Sequence, residues 1–151
     1  MERVNIYAET NTCTFKKIRR AAGYVLELVN EENDTVATVQ GWSINESTWN
    51  EIILMTFISA LSRLNRPCEL HLYSQNKAVL DLIENNLESW KENRFRNSKG
   101  EPIRNAKLWE ELAALCEGHL VITERGPHEY YHWMHYTLKR EWTNSERSKN
   151  V

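Results

Sequence analysis

Two histidines and a glutamate near the end of the chain have the spacing of a zinc-peptidase motif. Residues 126–135 read GPHEYYHWMH, in which His128, Glu129 and His132 give the pattern H-E-x-x-H. On a helix this spacing puts both imidazoles on one face, where they bind zinc, with the glutamate as general base. His135 follows three residues later and would extend the same face.

The surroundings of this motif argue against a peptidase. Pro127 is expected to open the last helix, which places His128 in its first turn, whereas zinc peptidases carry the motif well inside a helix. Only 19 residues follow His132, which leaves little chain for a separate third ligand. We therefore interpret the segment as a final helix whose histidine and aromatic side chains pack on a sheet. Adventitious binding of a transition metal is the alternative.

The composition favours one globular domain. The chain has 151 residues, of which 41% are hydrophobic and 26% charged. It has no apolar run of the ~20 residues that a membrane span needs and no signal-peptide layout, so we expect a cytoplasmic protein without a membrane partner. The net charge of −2 gives no overall attraction for nucleic acid, so binding of that kind would need a local basic patch.

Apolar residues that alternate with polar ones predict strands, and apolar residues that recur every three or four positions predict helices. Three strands come first, as an antiparallel meander, and helices alternate with strands after them. Thr48 and Glu51 form a capping box at the start of the first helix. The predicted strands are 3–9, 23–29, 35–42, 68–74 and 119–124, and the predicted helices are 48–64, 76–91, 106–118 and 127–139.

This order of elements predicts an α/β fold with a mixed five-stranded sheet and helices packed on its faces. A single domain is expected to occupy residues 1–140. Residues 141–151, EWTNSERSKNV, are polar and are expected to form a frayed C-terminal tail.

From residue 3 to about residue 140, the chain resembles the type 1 ribonuclease H family in element order. The most specific stretch is 87–112, LESWKENRFRNSKGEPIRNAKLWEEL, which is similar to the family's basic protrusion. In it a tryptophan ends one helix, a basic loop with a Lys-Gly turn and a proline follows, and a Leu-Trp pair starts the next helix. STWNEIILM (47–55) and LHLYSQNKAV (70–79) resemble the family segments that open the first helix and carry an active-site turn.

The resemblance implies a ribonuclease H-like fold and cleavage of the RNA strand of an RNA–DNA hybrid. In the family, four carboxylates hold two divalent ions, Mg²⁺ or Mn²⁺, which prefer oxygen ligands. By this resemblance the first three acid positions fall on Glu9, Ile53 and Gln75, and the fourth falls near 133–135. No residue from 130 to 139 is acidic. The resemblance therefore implies a vestigial site, in which Glu9 alone keeps a carboxylate, no metal is bound and catalysis is lost.

The basic protrusion and two neighbouring segments supply candidate contacts to nucleic acid. Six cations between residues 91 and 107 are opposed only by Glu92 and Glu101, which favours a phosphate-binding handle over the alternative of a solvated loop. For Thr48, a role as helix N-cap competes with a phosphate contact. The candidate residues are Thr48, Asn50, Lys77, Trp90, Lys91, Arg94, Arg96, Lys99, Arg104 and Lys107.

We therefore predict a ribonuclease H-like domain that binds an RNA–DNA hybrid or another duplex weakly, without cleaving it and without a cofactor. Two alternatives remain open. One is a protein-interaction scaffold, whose partner surface would contain Trp49, Tyr130, Tyr131 and Trp133. The other is a weak hybrid ribonuclease that uses Glu9 with Mg²⁺ or Mn²⁺.

Overall fold

A computed structural model describes residues 1–149 of the chain. Its helices and strands follow the predicted order. They are β1 (Glu2–Thr10), β2 (Ile18–Val29), β3 (Thr35–Ser47), α1 (Trp49–Leu61), β4 (Cys68–Ser74), α2 (Lys77–Glu92), α3 (Ala106–Cys116), β5 (Leu120–Glu124) and α4 (Tyr131–Lys149).

The five strands form one mixed sheet in the order β3-β2-β1-β4-β5. The first three strands pair antiparallel, as the predicted meander requires, while β1 pairs parallel with β4 and β4 pairs parallel with β5. The predicted α/β fold is thus confirmed. Within residues 1–149, no helix combines the length and the apolar character that crossing a membrane would need.

Side-chain alternation along β1 assigns the two faces of the sheet to different helices. Val4, Ile6 and Ala8 belong to the main apolar core, which is formed with α1, α2 and α3. Tyr7 points to the opposite face, where it packs in a smaller cluster with Met134 of α4. Glu9 follows Tyr7 by two residues and therefore faces the same side as α4.

The first helix begins as the sequence predicts. The Thr48 side chain accepts a hydrogen bond from the backbone N–H of Glu51, and the Glu51 carboxylate accepts one from the backbone N–H of Thr48. This capping box satisfies two of the N–H groups that a helix start leaves without a partner. It also fixes the carboxylate of Glu51 at the end of α1.

The last helix differs from the prediction at both ends. It begins at Tyr131 rather than near Pro127, and it continues to Lys149 through most of the segment predicted as a frayed tail. Contacts with β2 explain its length, because Arg19 lies over the Trp142 ring at 4.9 Å and pairs with Glu146. Residues 150 and 151 of the predicted tail lie outside the described residues.

A buried carboxylate ties α4 to the sheet. Glu27 is 1% exposed and accepts hydrogen bonds from Asn5 (2.8 Å), the Tyr7 hydroxyl (2.9 Å), the Thr35 hydroxyl (2.6 Å) and the Tyr130 hydroxyl (2.8 Å). Burial by itself would raise the pKa of Glu27, but these four donors together hold the pKa below its usual value. The network joins β1, β2, β3 and the segment that enters α4.

We predict that Glu27→Gln lowers the free energy of unfolding at pH 7 by about 1–3 kcal/mol, because hydrogen bonds to a charged acceptor are lost. A carboxyl whose folded pKa is depressed stabilises the protein above its unfolded pKa, near 4.5, and this contribution is lost as pH falls through the folded pKa. Urea denaturation from pH 7 to pH 3 should therefore show a smaller loss of stability in the variant.

Glu129→Gln is the matched control for this test. Burial and the nearby charge of Glu27 raise the pKa of Glu129, so removing its charge should be neutral or stabilising at pH 7. Equal losses of stability in the two variants at pH 7 would show that Glu27 does not act as a hydrogen-bonded anion.

Candidate functional site

The parallel pairing of β1 and β4 brings two of the predicted site positions together. Ala8 pairs with Ser74, so the carboxyl ends of both strands meet at one edge of the sheet. Glu9 follows Ala8 on β1, and Gln75 follows Ser74 directly after β4. The backbone N–H of Gln75 donates to Glu9 Oε1 at 3.2 Å, which confirms that these two positions are neighbours.

Glu9 is buried and its second oxygen faces a histidine. His128 Nε2 lies 2.8 Å from Glu9 Oε2, and both side chains are 2% exposed. The backbone N–H of Tyr130 donates to His128 Nδ1 at 3.2 Å, so Nδ1 is an acceptor. A neutral imidazole with its proton on Nε2 satisfies both contacts. Protein N–H groups therefore occupy both oxygens of the Glu9 carboxylate.

The H-E-x-x-H residues do not form a zinc-binding helix. His128 precedes α4, which begins at Tyr131, and His132 is exposed in its first turn. Glu129 faces another direction, toward Tyr7, whose hydroxyl lies 3.5 Å from the Glu129 carboxylate. Within residues 1–149, no three side chains of His, Cys, Asp or Glu are grouped so that they could hold a metal ion.

A cavity of about 380 Å³ opens beside Glu9, at the edge of the sheet between β4 and the loop that leads into α4. Glu9 is the one carboxylate among the described residues that line it. Its lining residues are Glu9, Ser74, Gln75, Lys77, Gly126, Pro127, His128, Tyr131 and His132.

The remaining positions at which the family resemblance implies acids carry none. Ile53 is fully buried and packs in the main core. Glu51 lies two residues earlier, but its carboxylate is held at the start of α1 by the capping box. After Glu129, the next acid in the sequence is Glu141, ten residues into α4, which corresponds to about 15 Å along the helix axis.

Three residues near Glu9 were not among the residues predicted for the ribonuclease site. His128 bonds to Glu9, the Tyr131 ring lies 4.2 Å from that of His135, and His135 Nε2 is buried without a hydrogen-bond partner among residues 1–149. Burial lowers the pKa of His135, and the charge of Glu9 opposes this shift. Because the histidine spacing indicated a helix, no local pattern predicted that the His128 side chain turns back to β1.

The predicted contacts at the helix starts are partly used within the protein. Thr48 is the N-cap of α1, and Asn50 Oδ1 accepts a hydrogen bond at 2.9 Å from Asn76, which is the N-cap of α2. Lys77 lines the cavity next to Glu9. The starts of α1 and α2 thus lie side by side at this edge of the sheet.

The basic loop divides into structural and exposed residues. The Trp90 ring packs at 4.9 Å from the Trp109 ring, and Lys91 forms an ion pair with Glu117 at 2.6 Å. Arg96 donates to the Gly100 carbonyl at 2.8 Å, which closes the turn of the loop. The predicted handle residues whose side chains are exposed are Arg94, Arg96, Lys99, Arg104 and Lys107.

The predicted aromatic partner surface does not form as one patch. The hydroxyl of Tyr130 donates to Glu27, so this residue belongs to the buried network on the sheet. Trp133 is 44% exposed and lies near Trp42 at 5.8 Å between ring centroids. Trp49 instead pairs with Phe15, at 5.7 Å.

Comparisons with known proteins identify the family of the chain. The family model described as RNase H matches residues 1–124. Ribonuclease H of Brucella anthropi is 38% identical over 103 residues, which are 68% of this chain and 60% of that protein. The chain thus spans less than two thirds of the length of this curated relative.

Solved structures show the same fold at lower identity. LC9-RNase H1, a type 1 RNase H with the type 2 active-site motif, has a TM-score of 0.70 at 18% identity, over 93% of this chain and 70% of that one. LC11-RNase H1 in complex with an RNA/DNA hybrid has a TM-score of 0.54 at 14% identity, over 83% of this chain and 86% of that one. With the five-stranded sheet, the arrangement of β1 and β4 and the match of residues 1–124, the chain belongs to the ribonuclease H family.

Proposed function

We propose that this chain binds nucleic acid, as an RNA–DNA hybrid or another duplex, and does not cleave it through a two-metal centre. The observation that carries this proposal is the Glu9 carboxylate, whose two oxygens accept N–H groups from His128 and Gln75. A carboxylate in this state is hydrogen-bonded and positioned by the protein itself.

The residues beside Glu9 do not fit a pair of divalent ions. Two-metal catalysis needs several carboxylates that can bridge the ions, because Mg²⁺ and Mn²⁺ are hard cations. Here the neighbouring position is the neutral Gln75, the position on α1 is the buried Ile53, and α4 has no acid before Glu141. The imidazoles of His128 and His132 are softer ligands that suit other metals better. The residues beside Glu9 therefore do not support a catalytic step through two metal ions.

Binding is supported by the exposed cations of the loop between α2 and α3. These cations are Arg94, Arg96, Lys99 and Arg104, and their side chains are exposed and have no carboxylate partner among residues 1–149. Lys91, in contrast, pairs with Glu117 and Glu88. Cations of this kind neutralise phosphates and release counterions, which makes binding favourable at low salt. The relative LC11-RNase H1, which has the same fold, was solved with an RNA/DNA hybrid.

A protein-interaction role is the second candidate, and one observation favours it. Trp133 and Tyr136 are 44% and 67% exposed, and their spacing of three residues makes them neighbours on the outer surface of α4. Exposed aromatic side chains of this kind are enriched in interface cores. A weak ribonuclease dependent on Mg²⁺ or Mn²⁺ is the third candidate, and the cleavage test below decides it.

The protein should show no cleavage of an RNA–DNA hybrid above that of Glu9→Ala, in Mg²⁺ or in Mn²⁺. The physical reason is that one engaged carboxylate cannot assemble two ions. The assay follows a hybrid labelled on the RNA strand at high enzyme concentration. Manganese-dependent cleavage that disappears in Glu9→Ala would establish the weak-nuclease alternative and overturn the non-cleaving proposal.

Glu9 and His128 should be energetically coupled. We expect Glu9→Ala and His128→Ala each to lower the free energy of unfolding by about 2–3 kcal/mol, because each leaves a buried polar partner without its hydrogen bond. The double variant should lose less than the sum, with a coupling energy of about 1–3 kcal/mol by urea denaturation at pH 7.

His132→Ala is the matched control for this cycle, because it removes the other histidine of the same motif from an exposed position. It should change stability by less than about 0.5 kcal/mol. Strictly additive losses for Glu9→Ala and His128→Ala would contradict the assigned pair and weaken the case against metal binding.

Hybrid binding should weaken with salt, and the exposed loop cations should account for part of this dependence. The slope of log affinity against log salt is about −0.9 for each duplex phosphate contacted. Arg94→Gln together with Lys99→Gln should reduce the magnitude of that slope by about 1.8 and weaken all sequences alike. Fluorescence anisotropy at several salt concentrations measures both quantities.

Lys91→Gln provides the control for charge alone, because Lys91 is already paired with Glu117. This variant should leave the slope unchanged. If the parent does not bind at low salt, the nucleic-acid proposal fails and the protein-interaction role takes its place. A slope that Lys91→Gln reduces as much as Arg94→Gln with Lys99→Gln would mean that the exposed loop cations are not the contact.

A further inference from the structure

A buried arginine organises the loop between β1 and β2. Arg20 is fully buried, and its guanidinium donates to four backbone carbonyls, those of Ser47 (3.0 Å), Thr12 (2.9 Å), Thr14 (2.9 Å) and Lys16 (2.6 Å). Burial lowers the pKa of Arg20, but a guanidinium starts so high that it keeps its charge at neutral pH. The arginine thus fixes the loop against the end of β3, where α1 begins.

This loop carries an aromatic side chain that is exposed to solvent. Phe15 is 73% exposed, and its ring lies 5.7 Å from that of Trp49 with 51° between the planes. Trp49 is the first residue of α1 and is half-buried against the main core. Single exposed apolar residues are ordinary, but Phe15 is paired with an anchored indole and lies on a loop whose carbonyls accept three charge-assisted hydrogen bonds from Arg20.

Positive charge lies on the same loop. Lys16 and Lys17 follow Phe15 and are exposed. The two aromatic rings could bury at most about 300–500 Å², which is well below the ~1,000 Å² of a specific protein interface. A rigid aromatic face of this size with adjacent lysines matches the chemistry of one base and its phosphates.

We propose that Phe15 and Trp49 form a stacking platform for an unpaired base, and that the preferred ligand is a hybrid or duplex with a single-stranded segment beside it. Bases inside a duplex are stacked on each other and do not present a free face, whereas an unpaired base does. Because the two ring planes are tilted by 51°, a base cannot insert between them and stack on both rings. The base instead stacks on the solvent-facing side of the Phe15–Trp49 pair. Lys16 and Lys17 neutralise the adjoining phosphates.

This inference rests on the proposed nucleic-acid binding, and the test separates the two. Anisotropy compares a blunt RNA–DNA hybrid, the same hybrid with a single-stranded overhang, and the same overhang made abasic, which keeps its phosphates but has no bases. We expect the normal overhang to raise the affinity at least about fivefold, the lower bound for one stacked base. The abasic overhang should give no comparable gain.

Phe15→Ala should abolish this gain and leave the affinity for the blunt hybrid unchanged. Trp49→Ala could disturb the core, so Trp49→Phe serves beside it as the conservative variant that keeps a ring and should retain most of the gain. Tyr136→Ala removes a comparably exposed ring on α4, 67% against 73% for Phe15, and should keep the full gain. Circular dichroism and thermal melts confirm that each variant is folded.

The outcomes distinguish the two proposals. A blunt hybrid that binds, with no gain from the overhang or a gain that survives Phe15→Ala, overturns the platform and leaves nucleic-acid binding standing. An equal gain from the abasic overhang overturns the platform too, because it assigns the effect to phosphates. If none of the three ligands binds at low salt, the proposed nucleic-acid binding is itself wrong.

Discussion

A carboxylate that leaves water must find hydrogen-bond donors inside the protein, and this constraint shapes the α4 side of the sheet. Glu9 and Glu27 are both almost fully buried on that side. Glu27 accepts hydrogen bonds from one amide and three hydroxyls. Glu9 accepts hydrogen bonds from the His128 imidazole and the backbone N–H of Gln75. Each set includes a donor from the loop before α4, His128 for Glu9 and Tyr130 for Glu27. The two carboxylates therefore fix how this loop lies on the sheet.

The Glu9 arrangement bears on the proposed function because it lies where the family resemblance places the first acid of a metal centre. A carboxylate surrounded by cations is stabilised by charge, whereas Glu9 is stabilised by N–H groups of its own chain. The imidazole of His128 lies 2.8 Å from Oε2, so this oxygen already has a hydrogen-bond partner from the protein. The scaffold can keep its shape in this way without several acids that repel one another.

Arg20 is a second kind of buried charge under the same constraint. As a buried cation, it must find hydrogen-bond acceptors inside the protein. Its guanidinium donates to four backbone carbonyls rather than to a carboxylate; three of them belong to the β1–β2 loop and the fourth, that of Ser47, to the end of β3. These four hydrogen bonds set the positions of the carbonyls relative to the guanidinium. The β1–β2 loop and the start of α1 are therefore held as one surface beside the Glu9 cavity.

Patterns that depend on neighbours in the sequence were enough to predict the order of elements, the capping box of Thr48 and Glu51, and the strand 68–74, since side-chain periodicity and caps are local properties. The proximity of Glu9 and Gln75 also followed from the family resemblance, because it places both residues at acid positions of one metal centre. Local patterns could not show that α4 extends to Lys149, because Arg19 of β2 supplies the contacts that keep it folded. Nor could they show that His128 bonds to Glu9, 119 residues away, that Trp90 packs on Trp109, or that Arg20 gathers four carbonyls. These features are set by which donors and acceptors meet after the chain has folded, and only the tertiary structure decides that.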